Sequence, residues 1–141
     1  MNLKYMEAAI LEAKKAFDKN EIPVGCVIVK DGKIIGRGYN LKEKKQNPLL
    51  HAELIAIKKA CSKSKSWRLN DCDIYITMEP CNMCYFSLCE SRISNIYYLI
   101  ESKNSDKEIM KYQRSQKKIN SVELEEKYMK MLQKTFKKMR E

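Results

Sequence analysis

The sequence predicts an α/β fold with three layers, in which a mixed central sheet is flanked by helices on both faces. Apolar segments with strand-like and helix-like periods alternate along the chain. Asp31-Gly32 is a strong signal for a two-residue hairpin, which makes the first two strands antiparallel. The later strands each follow a helix, so the sheet should be mixed. A length of 141 residues without an internal repeat suits a single domain over residues 1–141.

The individual elements follow from the spacing of apolar residues and from the turn residues between them. Met6, Ile10 and Ala13 have helical spacing, and Pro23 prevents the first helix from continuing. We expect helices over residues 3–18, 51–61, 81–91 and 124–139, and strands over 24–29, 34–39, 73–78 and 93–100. Residues 101–121 are polar and are expected to be irregular. The buried side of the second helix is expected to carry Ile55, Ile57, Ala60 and Cys61.

Two short motifs together predict a zinc site. The first is His51-Ala52-Glu53, and the second is Pro80-Cys81-Asn82-Met83-Cys84. The two cysteines are three residues apart and share one face of a helix, which readily begins after a proline. Tetrahedral zinc with three protein ligands keeps its fourth position open, which is the catalytic arrangement. The motifs therefore predict one Zn²⁺ ion per chain, held by His51, Cys81 and Cys84.

Glu53 is expected to lie beside the metal without binding it, where it can move protons to and from a substrate. Residues 51 and 53 point to different faces within a helix, but at its first turn both can point out of the helix end. Two helix starts that face each other would then assemble the site. The pattern H-x-E followed by P-C-x-x-C is typical of zinc nucleobase deaminases. A redox pair of Cys81 and Cys84, or a purely structural zinc site, is the alternative interpretation.

The charge of the chain suits a nucleic-acid partner. The formal net charge is +10, from 28 basic and 18 acidic residues. Lys42, Lys44 and Lys45 lie in the loop that leads to His51, so we expect them near the mouth of the site. Together with a basic final helix they would contact phosphates. A general lysine bias in the composition is the alternative explanation.

The remaining features favour a cytoplasmic protein. No segment is long and apolar enough for a membrane span, and the first residues lack the pattern of a signal peptide. Four of the six cysteines lie outside the zinc motif, in or beside apolar runs. Such cysteines behave as small buried hydrophobes in a reducing compartment. We therefore expect burial of Cys26, Cys61, Cys72 and Cys89.

Several further segments carry a family resemblance. They include Glu21-Ile22-Pro23-Val24-Gly25, Gly38-Tyr39-Asn40, Leu69-Asn70-Asp71 and Thr77-Met78-Glu79-Pro80-Cys81. With these segments, residues 5–100 or so resemble the bacterial tRNA-specific adenosine deaminases, the TadA family of the cytidine deaminase-like superfamily. The zinc motif identifies only the superfamily, and the first two segments point to this branch.

The resemblance implies a role for each matching residue. His51, Cys81 and Cys84 would hold zinc, and Glu53 would be the general acid and base. Asn40 would hydrogen-bond the target nucleoside. The side chain of Ile22 would pack on the base.

The resemblance also implies a substrate and an assembly. The reaction would be deamination of adenosine to inosine at the wobble position of a tRNA, presented in the anticodon loop or another single-stranded RNA, by a homodimer. A deaminase of cytosine, guanine or a free nucleoside, or a zinc-stabilised nucleic-acid-binding module without catalysis, is the alternative. Ser102 stands where the family has an aspartate near the nucleic acid, which predicts relaxed sequence context. Tyr85 and Phe86 are expected to fill space behind the zinc helix.

Overall fold

A mixed sheet forms the centre of the computed structural model, which describes residues 2–103, 105, 106, 108 and 114–140. Its strands are β1 (Gly25–Lys30), β2 (Lys33–Tyr39), β3 (Cys72–Met78), β4 (Asn95–Ile100) and β5 (Gln116–Lys118). Their order across the sheet is β2-β1-β3-β4-β5. Strand β1 pairs antiparallel with β2 and β3, whereas β3, β4 and β5 run parallel. The prediction of a mixed sheet is confirmed.

Helices cover both faces of this sheet. They are α1 (Leu3–Asp18), α2 (Ala52–Ser64), α3 (Asn82–Glu90) and α4 (Val122–Arg140). Successive side chains of a strand point to opposite faces. Accordingly, Cys26 and Ile28 pack with α2 and α3, while Val27 and Val29 pack with α1 and α4. Two apolar cores result, one on each side of the sheet, and the predicted three-layer architecture is confirmed.

Two glycines of β2 allow α2 to lie directly on the sheet. A Cβ atom at Gly38 would lie 2.1 Å from the backbone oxygen of Ala52, and one at Gly36 would lie 2.5 Å from that of Ala56. Both separations are too short for any side chain, so only glycine fits at either position. This close contact fixes the first turn of α2, and therefore the residue just before it, against the sheet.

The buried side of α2 differs from the predicted one because the contact with the glycines leaves room only for small side chains. The expectation for Ile55 is wrong, since its side chain is only half-buried. Ile57 and Cys61 are partly buried against the core. The buried residues of this helix are Ala52, Glu53, Ala56 and Ala60.

The segment after β4 also departs from the expectation of an irregular chain. Strand β5 consists of polar residues without apolar alternation, and it pairs in parallel with β4. Strands β1 and β4 begin at Gly25 and Asn95, slightly later than predicted. Residues 104, 107 and 109–113 of the predicted irregular segment lie outside the described residues.

The cysteines and the helices bear on two further expectations. All six cysteines are free thiols, and Cys26, Cys72 and Cys89 are buried as predicted. The expected burial of Cys61 is wrong, because its side chain is partly exposed at the end of α2. None of the helices in the described part of the chain is long and apolar enough to cross a membrane.

Candidate functional site

Two helix starts meet at one end of the sheet. His51 is the N-cap residue of α2, and Cys81 is the N-cap residue of α3, which follows directly from β3. Both residues have extended backbone angles, and neither uses its side chain to cap its own helix. Their side chains can therefore point away from the helices toward a shared centre, as the arrangement of the two motifs predicts.

The three predicted ligands form one compact cluster. The ligand atoms of His51, Cys81 and Cys84 all lie within 4.8 Å of one another. Nδ1 of His51 is 3.5 Å from Sγ of Cys84 and 3.9 Å from Sγ of Cys81. Zinc bonds of ~2.3 Å to sulfur and ~2.0 Å to nitrogen at a tetrahedral angle place such donors about 3.6 Å apart. The spacing and the chemistry of this donor set fit a zinc ion.

One of the two thiols in the cluster is already in the form that binds a cation. Hydrogen bonds from Cys84 and His51 lower the pKa of the Cys81 thiol to about 4, so it is a thiolate at neutral pH. The hydrogen bond to Cys81 and burial raise the pKa of Cys84 in turn. The hydrogen bond to Cys81 also raises the pKa of His51. A metal ion would displace these protons, because thiolate and neutral imidazole are the ligand forms.

Glu53 lies in the first turn of α2 beside this cluster and is not one of its three ligands. Its side chain is buried, with only 3% of the residue exposed. Burial is the main cause that raises the pKa of its carboxyl group to about 7, and a hydrogen bond with Cys84 acts in the opposite direction. A carboxyl group that titrates near neutral pH suits general acid–base chemistry.

A cavity of about 250 Å³ opens in front of the cluster. Two of the predicted metal ligands, His51 and Cys81, line it together with Glu53, the predicted proton carrier. The predicted substrate residues Ile22 and Asn40 and the predicted nucleic-acid contacts Lys42 and Ser102 also line it. The lining residues that sequence reasoning missed are Val24, Ala52, Met78 and Glu79. Cys84, the third predicted ligand, is fully buried and does not line the cavity.

The side-chain amide of Asn40 forms hydrogen bonds with two backbone segments that line this cavity. Its Nδ2 donates to the carbonyl oxygen of Ile22 at 3.2 Å, and its Oδ1 accepts from the backbone N–H of Lys42 at 3.1 Å. An amide has two N–H donors and two acceptor lone pairs. Within the described part of the chain, the protein engages one of each, and one of each remains to meet a ligand.

The lysine loop is held by a buried carboxylate that sequence reasoning did not single out. Glu21 is 2% exposed, and its oxygens accept the backbone N–H groups of Glu43 at 3.1 Å and Lys44 at 2.6 Å. Lys44 and Lys45 are exposed on this loop but do not line the cavity, whereas Lys42 does. The only sequence signal was the position of Glu21 at the start of the Glu-Ile-Pro-Val-Gly segment.

The segment that contains Ser102 is joined to the start of α3 by hydrogen bonds. The backbone N–H of Ser102 donates to Oε1 of Glu79 at 3.1 Å, and the hydroxyl of Ser105 donates to the carbonyl oxygen of Pro80 at 2.8 Å. Asn82 Oδ1 accepts the N–H of Asp106 at 2.9 Å. Among the described residues of this segment, Ser102 lines the cavity. No spacing in the sequence predicts such long-range bonds.

The bulky residues after Cys84 lie where they were expected. Tyr85 is fully buried in the core on the α2 and α3 side, and Phe86 packs against that core. Their rings meet edge to face at 5.3 Å. The hydroxyl of Tyr85 bonds to the backbone of Arg114 at 2.6 Å. Neither side chain lines the cavity.

Comparison with known proteins shows what this arrangement is similar to. The family model for the cytidine and deoxycytidylate deaminase zinc-binding region matches residues 1–100. A tRNA-specific adenosine deaminase of Aquifex aeolicus is 44% identical over 94 residues, which are 67% of this chain and 62% of the relative. The chain thus spans about three fifths of that relative's length.

Solved structures share the fold over most of the chain. One, from a study of A-to-I editing by tRNA:A34 deaminases at the wobble position of transfer RNA, has a TM-score of 0.82 and 29% identity, covering 93% of this chain and 100% of that one. A guanine deaminase from Bacillus subtilis has a TM-score of 0.70 and 29% identity, covering 92% and 93%. The fold therefore accommodates deaminases of different bases.

Proposed function

This chain belongs to the cytidine and deoxycytidylate deaminase zinc-binding family, and on that premise we propose that it deaminates adenosine to inosine at the wobble position of a tRNA. The observation that carries the proposal is the cluster of His51, Cys81 and Cys84, with the buried carboxyl of Glu53 beside it, at the base of one open cavity. A structural zinc site has no use for that carboxyl group.

The three clustered side chains would hold the zinc ion. Zinc, when bound, supplies Lewis acidity that lowers the pKa of a water ligand to about 7. Three protein ligands leave room for such a water, whereas a structural site has four. His51 and Cys81 line the cavity whereas Cys84 is buried, so a metal ion held by the three side chains would be reached from the cavity.

Glu53 would move the protons of the reaction. Hydrolytic deamination adds water across the C6–N1 bond of adenine, with hydroxide at C6 and a proton at N1, and then releases the amino group as ammonia while the C6 hydroxyl loses its proton to form the carbonyl. One proton must leave the attacking water for N1, and one must pass from the C6 hydroxyl to the departing nitrogen. Glu53 lines the cavity next to the cluster, so the same carboxyl group can accept the first and deliver the second.

Ile22 and Asn40 would receive the base. Ile22 is 40% exposed at the cavity wall, which is high for an apolar side chain and offers a surface on which a purine can pack. The unused donor and acceptor of the Asn40 amide match the mixed donor and acceptor edges of a nucleoside. Such a cavity admits a base only when it is flipped out of a stack, as in a single-stranded loop.

A polynucleotide substrate is supported by charge around the cavity. Lys42 lines this cavity and also a second one of about 330 Å³, which Lys138 of α4 lines as well. Basic residues in these two cavities suit the phosphates that flank a target nucleotide. The curated relative named tRNA-specific adenosine deaminase supports tRNA as that polynucleotide. Ser102, neutral where the family has an aspartate, adds relaxed context to the proposal.

Two further features complete the proposal. The free thiols of all six cysteines suit a reducing compartment, which supports a cytoplasmic location. A homodimer follows only from the family resemblance, and sedimentation of the purified protein would decide it.

Guanine is the second candidate base, because the Bacillus subtilis guanine deaminase is as similar in sequence as the A34 deaminase structure, at 29% identity. A substrate panel separates the two. The zinc-loaded protein is incubated with an anticodon stem-loop that carries adenosine at the wobble position, and with free adenosine, cytidine and guanine. The proposal expects turnover on the stem-loop at least tenfold above the free compounds. If guanine is turned over faster than the stem-loop, guanine deamination replaces the proposed function.

A further inference from the structure

One tyrosine of helix α4 forms a hydrogen bond with the segment that borders the cavity. Tyr128 is fully buried, and its hydroxyl donates to the carbonyl oxygen of Pro23 at 2.6 Å. The two residues are 105 positions apart, so this bond joins the last helix to the segment before β1. A hydroxyl buried this deeply is retained only where its hydrogen bonds are satisfied.

A second buried hydroxyl interacts with this phenol group. Burial raises the pKa of Tyr128, and the fully buried Thr77 of β3 acts in the opposite direction. The Thr77 hydroxyl in turn accepts the backbone N–H of Gly25 at 3.1 Å.

Pro23 lies between two residues that line the cavity. The residues on either side of it, Ile22 and Val24, both line the cavity in front of the metal cluster. The carbonyl of Ile22 accepts the N–H of Val24 at 2.9 Å, and the carbonyl of Val24 accepts the N–H of Asn40 at 3.1 Å. Proline has no N–H, so its carbonyl is its only backbone group for hydrogen bonding. That group is the one held by Tyr128.

The same helix also lines a second cavity beside this wall. Thr135, Lys138 and Met139 of α4 line the second cavity, which shares Ile22 and Asn40 with the first. Tyr128 and Thr135 are seven residues apart and both buried, so they lie on one face of α4, two turns from each other. Helix α4 therefore bonds to this wall through Tyr128, and it also lines the second cavity that Ile22 borders.

We propose that Tyr128 is a positioning residue, which fixes the Ile22–Val24 wall through the carbonyl of Pro23 so that a bound base lies in register with Glu53. The proposal rests on the deamination proposed above for its consequence, but the contact itself can be tested independently. Without the hydroxyl, the Pro23 carbonyl has no partner and the wall can shift. The phosphates outside the cavity would bind as before.

The test compares Tyr128→Phe with Tyr75→Phe. Both changes remove one hydroxyl from a buried tyrosine of the same core, and the Tyr75 hydroxyl bonds only to the backbone N–H of Asn2 among the bonds described, away from the cavity. The control therefore reports the general cost of removing a buried hydroxyl. Zinc content and thermal unfolding are measured for both variants.

The first readout is amide hydrogen exchange, which needs no substrate. The N–H groups of Val24 and Asn40 hold the wall, so their exchange should accelerate at least about fivefold in Tyr128→Phe relative to Tyr75→Phe at equal global stability. Equal exchange of these two amides in both variants would overturn the proposal, whatever the activity.

The second readout is turnover on the adenosine stem-loop. Because phosphate contacts dominate affinity and misplacement of a reacting group lowers the chemical rate, kcat should fall by about tenfold or more in Tyr128→Phe. KM should stay within about twofold of wild type, and Tyr75→Phe should match wild type in both. Accelerated exchange with unchanged kcat would also overturn the proposal. If wild type deaminates none of the panel, the proposed function fails, and the exchange result still decides the contact.

Discussion

Sγ of Cys81 lies 3.9 Å from Nδ1 of His51, although the two residues are 30 positions apart. Each is the N-cap residue of its helix, so the relative placement of α2 and α3 on the sheet determines the distance. Gly36 and Gly38 set how closely α2 approaches β2. The metal cluster is therefore a consequence of helix packing rather than of a local loop.

The cluster predicts that removing one ligand releases the metal. Cys84→Ala should lose zinc and unfold at a lower temperature, because a ligand that binds only the native state adds to its stability. Cys72→Ala is the matched control, since Cys72 is also buried and free but is not part of the cluster. Metal analysis and thermal unfolding with and without a chelator measure both effects. Full zinc occupancy in Cys84→Ala would rule out its role as a ligand.

The lysine loop predicts a change in salt dependence. Replacing Lys42, Lys44 and Lys45 by alanine should weaken tRNA binding and flatten its slope by about 0.7–0.9 log units for each phosphate that the loop no longer neutralises. The control is a triple alanine variant with the same change in net charge, made at the exposed positions Lys58, Lys59 and Lys63 of α2. Titrations at several salt concentrations give the slopes. Identical slopes for the two variants would mean that the lysines of this loop do not contact phosphates and reflect only the lysine-rich composition of the chain.

Ser102 predicts a change in selectivity. It lines the cavity, and a carboxylate there would repel the phosphates of a poorly seated strand, so Ser102→Asp should sharpen the preference for the anticodon loop. Ser102→Asn has nearly the same size as that variant without the charge and should leave the preference unchanged. The measurement is the ratio of kcat/KM on an anticodon stem-loop to that on an unstructured adenosine-containing RNA. A ratio that Ser102→Asp leaves at the wild-type value would refute the role of this position.

The fold class could be predicted because it depends on short-range patterns, and the site cluster because its two short motifs together match a known signature. The Asp31-Gly32 turn and the period of apolar residues specify the elements, and the histidine and cysteine motifs each lie at a helix start. The alanine side of α2 could not be predicted, because it depends on glycines in another element.

Long-range hydrogen bonds were equally hidden from sequence reasoning. Glu79 bonds to Ser102, and Tyr128 bonds to Pro23, across 23 and 105 positions. The polarity of a side chain does not reveal which distant backbone group it will meet. Strand β5 could not be predicted for a similar reason. Its polar residues show no strand pattern, and they pair with β4, a strand that is distant in the sequence, at the edge of the sheet.

The action of Glu53 on a tRNA adenosine is the central claim, and one measurement tests it directly. Total tRNA is incubated with the zinc-loaded wild type or with Glu53→Ala and then sequenced for adenosine-to-inosine changes. Inosine should appear at wobble positions with wild type. The variant should keep zinc and fold, with a rate lower by about 10²–10⁴-fold, as expected when a positioned acid–base group is removed. No inosine with zinc-loaded wild type, or variant turnover within about tenfold of wild type, would contradict this claim.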